Sequence, residues 1–296
     1  MKIYLKPDTS SRGIMRVVKA LEDYAPSFVD IVQRPQDADL EVIHVYGRYE
    51  AIKQRIKRLQ KVGKPYAMIQ YAIRSTMHPE TSDWMELWNR SKIVWSYYNL
   101  PVLSAEDGTY EGFNFYYAPL GVDPSVFYRR ETGSNSQYTI AACSKHALAE
   151  GARECAFATK RVNHKMFFLG HELRRGEDIV CKQNISDDDL AHYYSECMFV
   201  SGLRRIEGFE LPVIEGALCG ARPIVFDQPH YREWFRDFAI FIPETDRDGV
   251  IDNLEKIFRQ AIDGRINYGV TAGEQKMIRE RFDWGNIING FYQRLQ

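Results

Sequence analysis

The chain has 296 residues, of which 45% are hydrophobic and 13% aromatic, so it can fill two domain cores and is not a disordered protein. Its 39 Lys and Arg residues balance 40 Asp and Glu residues, and the net charge of -1 gives no global field that would attract nucleic acid. We therefore expect no nucleic-acid partner, and any anionic ligand must be bound by local groups.

The N-terminal residues MKIYLKPD include charges and a proline, which leaves no room for the apolar core of a signal peptide. No apolar run approaches the roughly 18 residues that a membrane-spanning helix needs. Both observations predict a cytoplasmic protein. The cysteines are odd in number, widely spaced and without a C-x-x-C or Cys/His zinc pattern, so we expect reduced, buried thiols and no metal: Cys143, Cys155, Cys181, Cys197 and Cys219.

In the first half of the chain, short apolar runs alternate with segments of helical period, which is typical of α/β units around a parallel sheet. Strands are predicted at residues 2–5, 40–46, 65–70 and 93–96, and helices at 14–21, along 52–59 and at 84–89. The run LEVIHVY at 40–46 is apolar on both of its faces, which indicates a strand buried on both sides.

The helix along residues 48–64 is rich in basic side chains, and two interpretations remain open for it. The first is a solvated outer face, and the second is peripheral contact with anionic lipid, which would make the protein membrane-associated. The cations concerned are Arg48, Lys53, Arg55, Lys57, Arg58, Lys61 and Lys64.

The second half repeats the alternation after a polar stretch, RRETGSNSQ at 129–137, whose composition suits a surface connection. Strands are predicted at 138–143, 166–169, 197–200 and 223–226. We therefore predict a Rossmann-like N-terminal domain at 1–125 and a Rossmann-like C-terminal domain that starts at 126. Because open α/β sheets bind ligands at the carboxyl ends of their strands, two such domains facing each other would hold a ligand in the cleft between them.

The segment IEGFELPVIEGALCGARPIVFDQ at 206–228 carries the most chemistry. Pro212 suits the first turn of a helix and Gly220 the position just past its end, so a helix of about two turns is predicted between them. This helix is apolar except for Glu215, which lies near the positive end of the helix dipole. A carboxylate at that position is either a ligand-binding group or a buried carboxylate that caps the helix.

A second carboxylate, Glu207, stands eight positions earlier, in the loop that leads into the same helix. Gly208 lets the backbone approach a ligand closely, and the amides of Phe209, Glu210 and Leu211 form an anion site at the helix start. Carboxylates that bind hydroxyls beside amides that bind phosphate predict a nucleotide-sugar site. The alternative for Glu207 is a surface loop charge.

The stretch EGFELPVIEGALCGARPIV at 207–225 resembles the E-x7-E motif of retaining GT-B glycosyltransferases of family 4, usually written EGFGLPxLEAxAxGxPVI. PLGVDPSVF at 119–127 resembles the interdomain phrase PNGVDxxxF of that family, and RFDWGNIINGFY at 281–292 resembles its closing helix. ISDDDLAHYYSECMFV at 185–200 is similar to the helix and strand before the site, where Asp187 to Asp189 are helix N-terminal charges rather than a metal site. In the first half, DLEVIHVYG at 39–47 resembles the family more weakly.

The resemblance implies an α/β protein of the GT-B fold, with two Rossmann-like domains that face each other across a cleft. The C-terminal domain would span 126–280, and a helix at 281–296 would cross back onto the N-terminal domain. It also implies metal-independent transfer, with retention, of a hexose from a UDP- or GDP-sugar to a glycan, a lipid-linked acceptor or another hydroxyl. The nucleotide sugar is the donor substrate, and no cofactor is required.

Carried over by residue, the resemblance assigns Glu215 to the ribose hydroxyls and Glu207 to hydroxyls of the transferred sugar. Because this chemistry is attributed to front-face departure and attack, Glu207 is the catalytic residue in a positioning and electrostatic role, not as a nucleophile. The backbone of Phe209, Glu210 and Leu211 would hold the sugar and the diphosphate.

The chain departs from the family at the diphosphate. Ser144 and Lys145 stand where the family has Gly-Arg, and Glu150 stands where a Lys is expected. Because a leaving diphosphate gathers negative charge, we expect a replacement cation. Arg204 and Arg205, where the family has a small or neutral pair, are the candidates, and a solvated arginine pair is the alternative.

Glu210 replaces the usual Gly of the motif and brings a carboxylate to the anion site. Either its side chain points away from the ligand, or the site is altered or inactive. The second possibility defines the competing function, a non-catalytic binding protein for sugar nucleotides or glycans on a degenerate GT-B scaffold. A GT-B enzyme of different chemistry, such as a sugar-nucleotide epimerase, is a further alternative that the E-x7-E wording argues against.

The first domain offers weaker candidates. Gly13 follows the first strand as a close-approach glycine, and Arg12 beside it is a candidate phosphate ligand; an ordinary loop glycine and an exposed arginine are the alternative. His44 is either a core histidine or a residue of the acceptor side, and His78 is a further acceptor-side candidate.

Overall fold

The computed structural model describes residues 1–7, 9, 11–46, 49–71, 81–101, 112–131, 138–144, 151–170, 178–205, 208–265 and 267–296, with the backbone alone at 49, 81–83, 143 and 144. The chain divides into two compact units. The first unit comprises Met1–Gly121, Glu207–Phe209 and Asp283–Gln296, and the second comprises Val122–Ile206 and Glu210–Phe282. The predicted boundary at 125/126 lies in the same connection as the observed division at 121/122.

The first unit contains a six-stranded parallel sheet in the order β2-β1-β3-β4-β5-β6. Both central strands, β3 and β4, are buried along their whole length, as an apolar run on both faces predicts. The strands are β1 (Lys2–Tyr4), β2 (Asp30–Ile31), β3 (Leu40–Val45), β4 (Tyr66–Gln70), β5 (Val94–Ser96) and β6 (Phe115–Tyr117). The helices between them are α1 (Arg12–Asp23), α2 (Tyr49–Lys61) and α3 (Thr81–Asn89), with a 3₁₀ turn at Pro35–Asp37.

The second unit contains another six-stranded parallel sheet, in the order β12-β11-β10-β7-β8-β9. Its core is built around Phe168, Phe199, Phe226 and Phe258, all with 0% exposure. The strands are β7 (Tyr138–Ser144), β8 (Lys165–Gly170), β9 (Ile179–Cys181), β10 (Cys197–Gly202), β11 (Arg222–Phe226) and β12 (Ile240–Ile242). The helices are α4 (Ala152–Arg161), α5 (Asp187–Ser195), α6 (Leu211–Leu218), α7 (Pro229–Phe235), α8 (Arg247–Ile262) and α9 (Ala272–Arg281).

The eight predicted strands are confirmed, and they are the inner strands of the two sheets. The four strands that the sequence did not predict, β2, β6, β9 and β12, are the outer ones, and each is two or three residues long. A strand at the edge of a sheet is covered on fewer sides, and these four strands are only partly buried. None of the helices in the described parts of the chain is long and apolar enough to cross a membrane.

The C-terminal helix α10 (Trp284–Gln293) belongs to the first unit. Its Tyr292 hydroxyl donates to the carbonyl of Leu21 in α1 at 2.8 Å, and the Tyr116 hydroxyl of β6 donates to the carbonyl of Ile287 at 2.7 Å. These buried hydrogen bonds connect residues far apart in the chain and fix α10 beside α1 and β6.

Gly121 and Trp284 bring together the two segments that resemble the interdomain phrase and the closing helix. A Cβ atom at Gly121 would lie 2.5 Å from Cδ2 of the Trp284 indole, which is 7% exposed. The indole therefore packs directly on the glycine backbone. The φ angle of Gly121 lies outside the left-handed region. Position 121 therefore requires glycine because of this contact and not because of its backbone conformation.

We expect Gly121→Ala to lower the free energy of unfolding by roughly 1 to 3 kcal/mol, because the added methyl group overpacks the contact with Trp284. Gly273→Ala is the matched control, since the nearest atom to a Cβ there, Oγ1 of Thr271, is 3.9 Å away. Chemical denaturation of both variants measures the difference. Equal stabilities would contradict this account of the Gly121 contact.

Candidate functional site

Helix α6 (Leu211–Leu218) lies where the motif predicts it, with Pro212 in its first turn and Gly220 beyond its end at φ +96°. Every residue of the helix except Pro212 is buried. Glu215 is 2% exposed in these apolar surroundings. Burial of a carboxylate is costly unless polar groups compensate it, so position 215 is not a solvated surface charge.

Helix α6 lies unusually close to the sheet of the second unit. A Cβ at Gly216 would be 2.6 Å from Cγ1 of Val200 in β10, and a Cβ at Gly202 would be 2.5 Å from Cγ2 of Val213 in α6. Glycine on each side thus lets helix and strand approach each other closely. The contact fixes the start of α6 relative to the carboxyl end of β10, where Arg204 and Arg205 follow.

Glu210 is the residue that precedes α6, with an extended backbone at φ -115° and ψ 98°, and its side chain does not cap the helix. Instead, its carboxylate lies 2.8 Å from Nε of Arg204 and 3.3 Å from the hydroxyl of Tyr231. The Tyr231 hydroxyl also lies 3.2 Å from the carbonyl oxygen of Arg204. Glu210 is 1% exposed and Tyr231 0% exposed, so this is a buried polar cluster.

Arg205 is held differently from its neighbour. Its guanidinium lies 3.1 Å from Oε1 of Glu154 and 3.5 Å from Oε1 of Glu244, and it stacks over the ring of Phe226 at 4.9 Å. The side chains of Arg204 and Arg205 are only 16% and 22% exposed. The alternative of a solvated arginine pair is therefore wrong.

Gly208 and Phe209 group with the first unit, where they meet aromatic side chains. A Cβ at Gly208 would overlap the ring of Tyr98, and the ring of Phe209 lies 5.7 Å from that of Tyr97. Gly208 was predicted to allow close backbone approach, and the group that approaches it in this structure is the Tyr98 ring. Tyr97 and Tyr98 directly follow β5 and carried no motif that would have pointed to this contact.

Several candidate residues lie outside the described residues. They are Glu207, Lys145 and His78, together with Glu150 and Arg48. Ser144 is the last residue of β7, and only its backbone pairing with Gly170 is described.

Arg12 and Gly13 are the first two residues of α1. The predicted helix starts two residues later, at 14, so Gly13 is part of the first helical turn rather than of the preceding loop. The side chain of Arg12 is exposed. Both residues thus lie at a helix N-terminus, the end that favours anions.

His44 is 3% exposed within β3, and both of its ring nitrogens have partners. Nε2 lies 2.8 Å from the carbonyl oxygen of Leu5, to which it donates, and Nδ1 lies 2.9 Å from the Tyr71 hydroxyl, from which it accepts. Burial lowers the pKa of His44 from 6.5 to about 4, despite the hydrogen bond to Leu5. This is the environment of a neutral core histidine, the alternative that the sequence left open.

Helix α2 turns part of its basic surface inward. Lys53 is 4% exposed beneath the Trp84 ring, with 5.6 Å from Nζ to the ring centroid. Arg55 and Lys64 both reach the buried carboxylate of Glu41, at 2.9 and 3.4 Å. The exposed cations in the described part of this segment are Lys57, Arg58 and Lys61, so the surface available to anionic lipid is smaller than the sequence indicated.

Four cysteines of the described chain are free thiols, as predicted: Cys155, Cys181, Cys197 and Cys219. All of them are buried except Cys181, which is half-buried. Burial raises the pKa of Cys155 and of Cys219 to about 12.

Asp189 closes a capping box with Ser186 at the start of α5, which confirms a helix-terminal role for the acidic run Asp187 to Asp189. Within the described parts of the chain, no three His, Cys, Asp or Glu side chains are grouped to hold a metal ion.

We expect acid to destabilise the protein through His44. Its folded-state pKa of about 4 lies below the ordinary 6.5, so the unfolded state binds the proton first and stability is lost as pH falls between these values. The loss between pH 7 and pH 5 is about 2 kcal/mol. Denaturation of His44→Gln should lack this component, whereas the control His192→Gln, at a half-exposed site, should retain it. Identical pH profiles for wild type and His44→Gln would contradict the prediction.

We expect Gly208→Ala to lower the free energy of unfolding by roughly 1 to 3 kcal/mol, because the new methyl group overlaps the Tyr98 ring. Tyr98→Ser removes the ring and with it the overlap. In the double variant the two changes should therefore be non-additive, with Gly208→Ala costing less than it does alone. Denaturation of the four proteins tests this, and strict additivity would show that the Tyr98 contact is not the cause.

No known protein-family profile matches the sequence, and no curated protein sequence matches it. Solved structures do match the fold. Sucrose-phosphate synthase from Thermosynechococcus elongatus superposes with a TM-score of 0.77 at 11% identity, over 99% of this chain and 98% of that one. HepE of Anabaena, solved in complex with UDP and glucose, superposes with a TM-score of 0.75 at 13% identity, over 99% of this chain and 98% of that one.

The pneumococcal O-GlcNAc transferase GtfA, solved with UDP and GlcNAc, gives a TM-score of 0.66 at 14% identity, over 86% of this chain and 56% of that one. At such identities the similarity concerns the fold. The two parallel six-stranded sheets, together with matches over nearly the whole chain, show that this α/β protein has the GT-B fold.

Proposed function

We propose that this protein is a glycosyltransferase that moves a hexose from a UDP- or GDP-sugar to a hydroxyl of a glycan or another acceptor. The observation that carries the proposal is the buried Glu215 within α6, inside a segment that resembles the E-x7-E motif and on a GT-B scaffold. The matched HepE and GtfA structures, which contain UDP together with a sugar, support a nucleotide sugar as the donor.

In this proposal the start of α6 is the donor site. Glu215 accepts hydrogen bonds from the ribose hydroxyls, and Glu207 orients hydroxyls of the transferred sugar. The backbone at Phe209, Glu210 and Leu211 leads into the positive end of the helix, which favours the diphosphate. Transfer proceeds with retention and without a metal, as expected for family 4, and Glu207 acts by position and charge rather than as a nucleophile.

The diphosphate needs cations, because it gathers negative charge as it leaves. Of the two arginines after β10, we assign this role to Arg204. Arg205 contacts Glu154 and Glu244 and stacks over the Phe226 ring, which ties it to α4, to β11 and to the loop after β12. Ser144, the last residue of β7, and Lys145, which follows it in sequence, complete the proposed set, because β7 and β10 are neighbours in a parallel sheet and end at the same edge.

The first unit supplies further proposed contacts. Arg12 and Gly13 at the start of α1 form its candidate phosphate site, and His78 remains a candidate on the acceptor side. The burial of His44 favours a structural role instead. A lipid-linked acceptor would be approached through Lys57, Arg58 and Lys61, in a cytoplasmic protein with peripheral membrane contact. Liposome sedimentation at low and high salt tests that last point.

The competing function is a non-catalytic binding protein for sugar nucleotides, and Glu210 is the observation that favours it. A buried carboxylate at the start of α6 reduces the positive potential that a diphosphate requires. The contact of Glu210 with Arg204 compensates that charge. We therefore favour the enzyme over the binding protein.

The test combines donor turnover with Glu215→Gln. Wild-type protein is assayed for hydrolysis and transfer with UDP-glucose, GDP-mannose and related donors, and by calorimetry with UDP and GDP. We expect turnover of at least one donor, and about a tenfold weaker nucleotide affinity in Glu215→Gln, which loses a charged hydrogen-bond acceptor. Glu41→Gln, at a buried carboxylate in the first unit, is the matched control and should leave affinity unchanged.

Three outcomes contradict parts of the proposal. Nucleotide binding without turnover of any donor would favour the binding protein. Unchanged affinity in Glu215→Gln would make Glu215 a structural carboxylate. Inversion of the anomeric configuration in the product, read by NMR, would overturn the retaining mechanism, and loss of turnover with EDTA would overturn metal independence.

A further inference from the structure

We propose that Glu210 is a positioning residue that holds the Arg204 guanidinium at the start of α6 for the donor diphosphate. The inference rests on the proposed function and deepens it, because it names the group that orients the replacement cation. The buried contact between the Glu210 carboxylate and Nε of Arg204, 2.8 Å long, is its starting point.

Three separate segments of the second unit meet at this cluster. Arg204 comes from the loop after β10, Glu210 from the residue before α6, and Tyr231 from α7. The Tyr231 hydroxyl lies within hydrogen-bonding distance of both the Glu210 carboxylate and the Arg204 backbone carbonyl. The Tyr231 hydroxyl therefore helps to hold the Glu210 carboxylate in place, and this carboxylate is not an exposed surface charge.

Burial makes the Glu210 carboxylate depend on its partners. Glu210 is 1% exposed, and a carboxylate removed from water must be paired with a cation or with several hydrogen-bond donors. Arg204 is the cation that contacts Glu210, and at 16% exposure it retains some contact with solvent. The pair therefore has one buried end, which anchors it, and one end that reaches the surface.

A guanidinium can bind two anions at once, because its five N–H donors lie on different edges of a planar fork. In the proposal, Arg204 contacts Glu210 through Nε and turns its terminal nitrogens to the diphosphate when the donor binds. Ordering the arginine before the donor arrives reduces the conformational entropy that binding would otherwise remove. Glu210 would therefore strengthen donor binding although its own charge opposes the donor.

Arg205 provides an internal contrast. Its carboxylate partners, Glu154 and Glu244, come from α4 and from the loop after β12, and its guanidinium stacks on Phe226 of β11. That arrangement joins α4, β11 and the loop after β12. Glu244 is thus the matched carboxylate whose removal should leave donor binding unchanged.

The experiment measures the affinity for UDP and GDP, and KM and kcat for the donor that wild type turns over, in a double-variant cycle. Glu210→Gln keeps the shape of the side chain and removes its charge. We expect it to raise the donor KM and the nucleotide Kd about tenfold and to lower kcat as well, because Arg204 also stabilises the charge that the diphosphate gathers as it leaves. In an Arg204→Ala background, Glu210→Gln should have no further effect.

The controls separate positioning from folding. Glu244→Gln should leave KM unchanged, and Tyr231→Phe should raise it by a smaller factor than Glu210→Gln. If Glu210→Gln does not fold, Glu210→Asp, which keeps the charge and withdraws it by one methylene group, should raise KM in the same direction. Thermal unfolding of each variant establishes that the compared proteins are folded.

Three results would overturn the inference. A lower KM in Glu210→Gln would mean that the carboxylate competes with the donor for Arg204. An equal effect of Glu210→Gln with and without Arg204 would mean that it does not act through the arginine. An Arg204→Ala variant with unchanged affinity beside a weakened Glu215→Gln would remove this inference and leave the proposed function intact, whereas a wild-type protein that binds no nucleotide would end both.

Discussion

The close packing of α6 on β10 is the constraint on which the candidate site depends. Gly202 and Gly216 face Val213 and Val200 at distances that no larger residue would allow. This contact sets where the helix starts, and the start carries the functional groups. Glu215 is buried because its helix is buried, and Glu210 reaches Arg204 because the start of α6 lies beside the loop that follows β10.

The two arginines differ in their partners. Both follow β10, and Arg205 contacts Glu154 and Glu244 whereas Arg204 contacts Glu210. Two departures from the family motif, the arginine pair and the glutamate at 210, are separate oddities in the sequence. In the fold, Arg204 of that pair and Glu210 form one buried ion pair, so each explains the presence of the other. A glutamate beside an anion site is unfavourable alone and acceptable beside Arg204.

The sequence predicted those parts of the fold that are specified locally. Inner strands such as β3 and β4 are buried on both faces and read as continuous apolar runs, and Pro212 and Gly220 bound α6 to within about a residue or two. The outer strands were missed because two or three half-buried residues carry no pattern. The partner of Arg205 on α4 was missed because it is distant in sequence: Glu154 is 51 positions from Arg205, and no local rule links them.

His44 shows the same limit from the opposite side. From the sequence, a histidine in an apolar strand is equally well interpreted as a core residue or as a residue of the acceptor side. Only its hydrogen-bond partners in the fold distinguish the two interpretations. The Leu5 carbonyl and the Tyr71 hydroxyl occupy both ring nitrogens, and burial keeps the ring neutral, so its polarity is used to join β3 to the segments after β1 and β4. Lys53, Arg55 and Lys64 behave likewise, since their charges are used against Trp84 and Glu41. In this protein a charged or polar side chain is therefore weak evidence for function until its contacts within the fold are known.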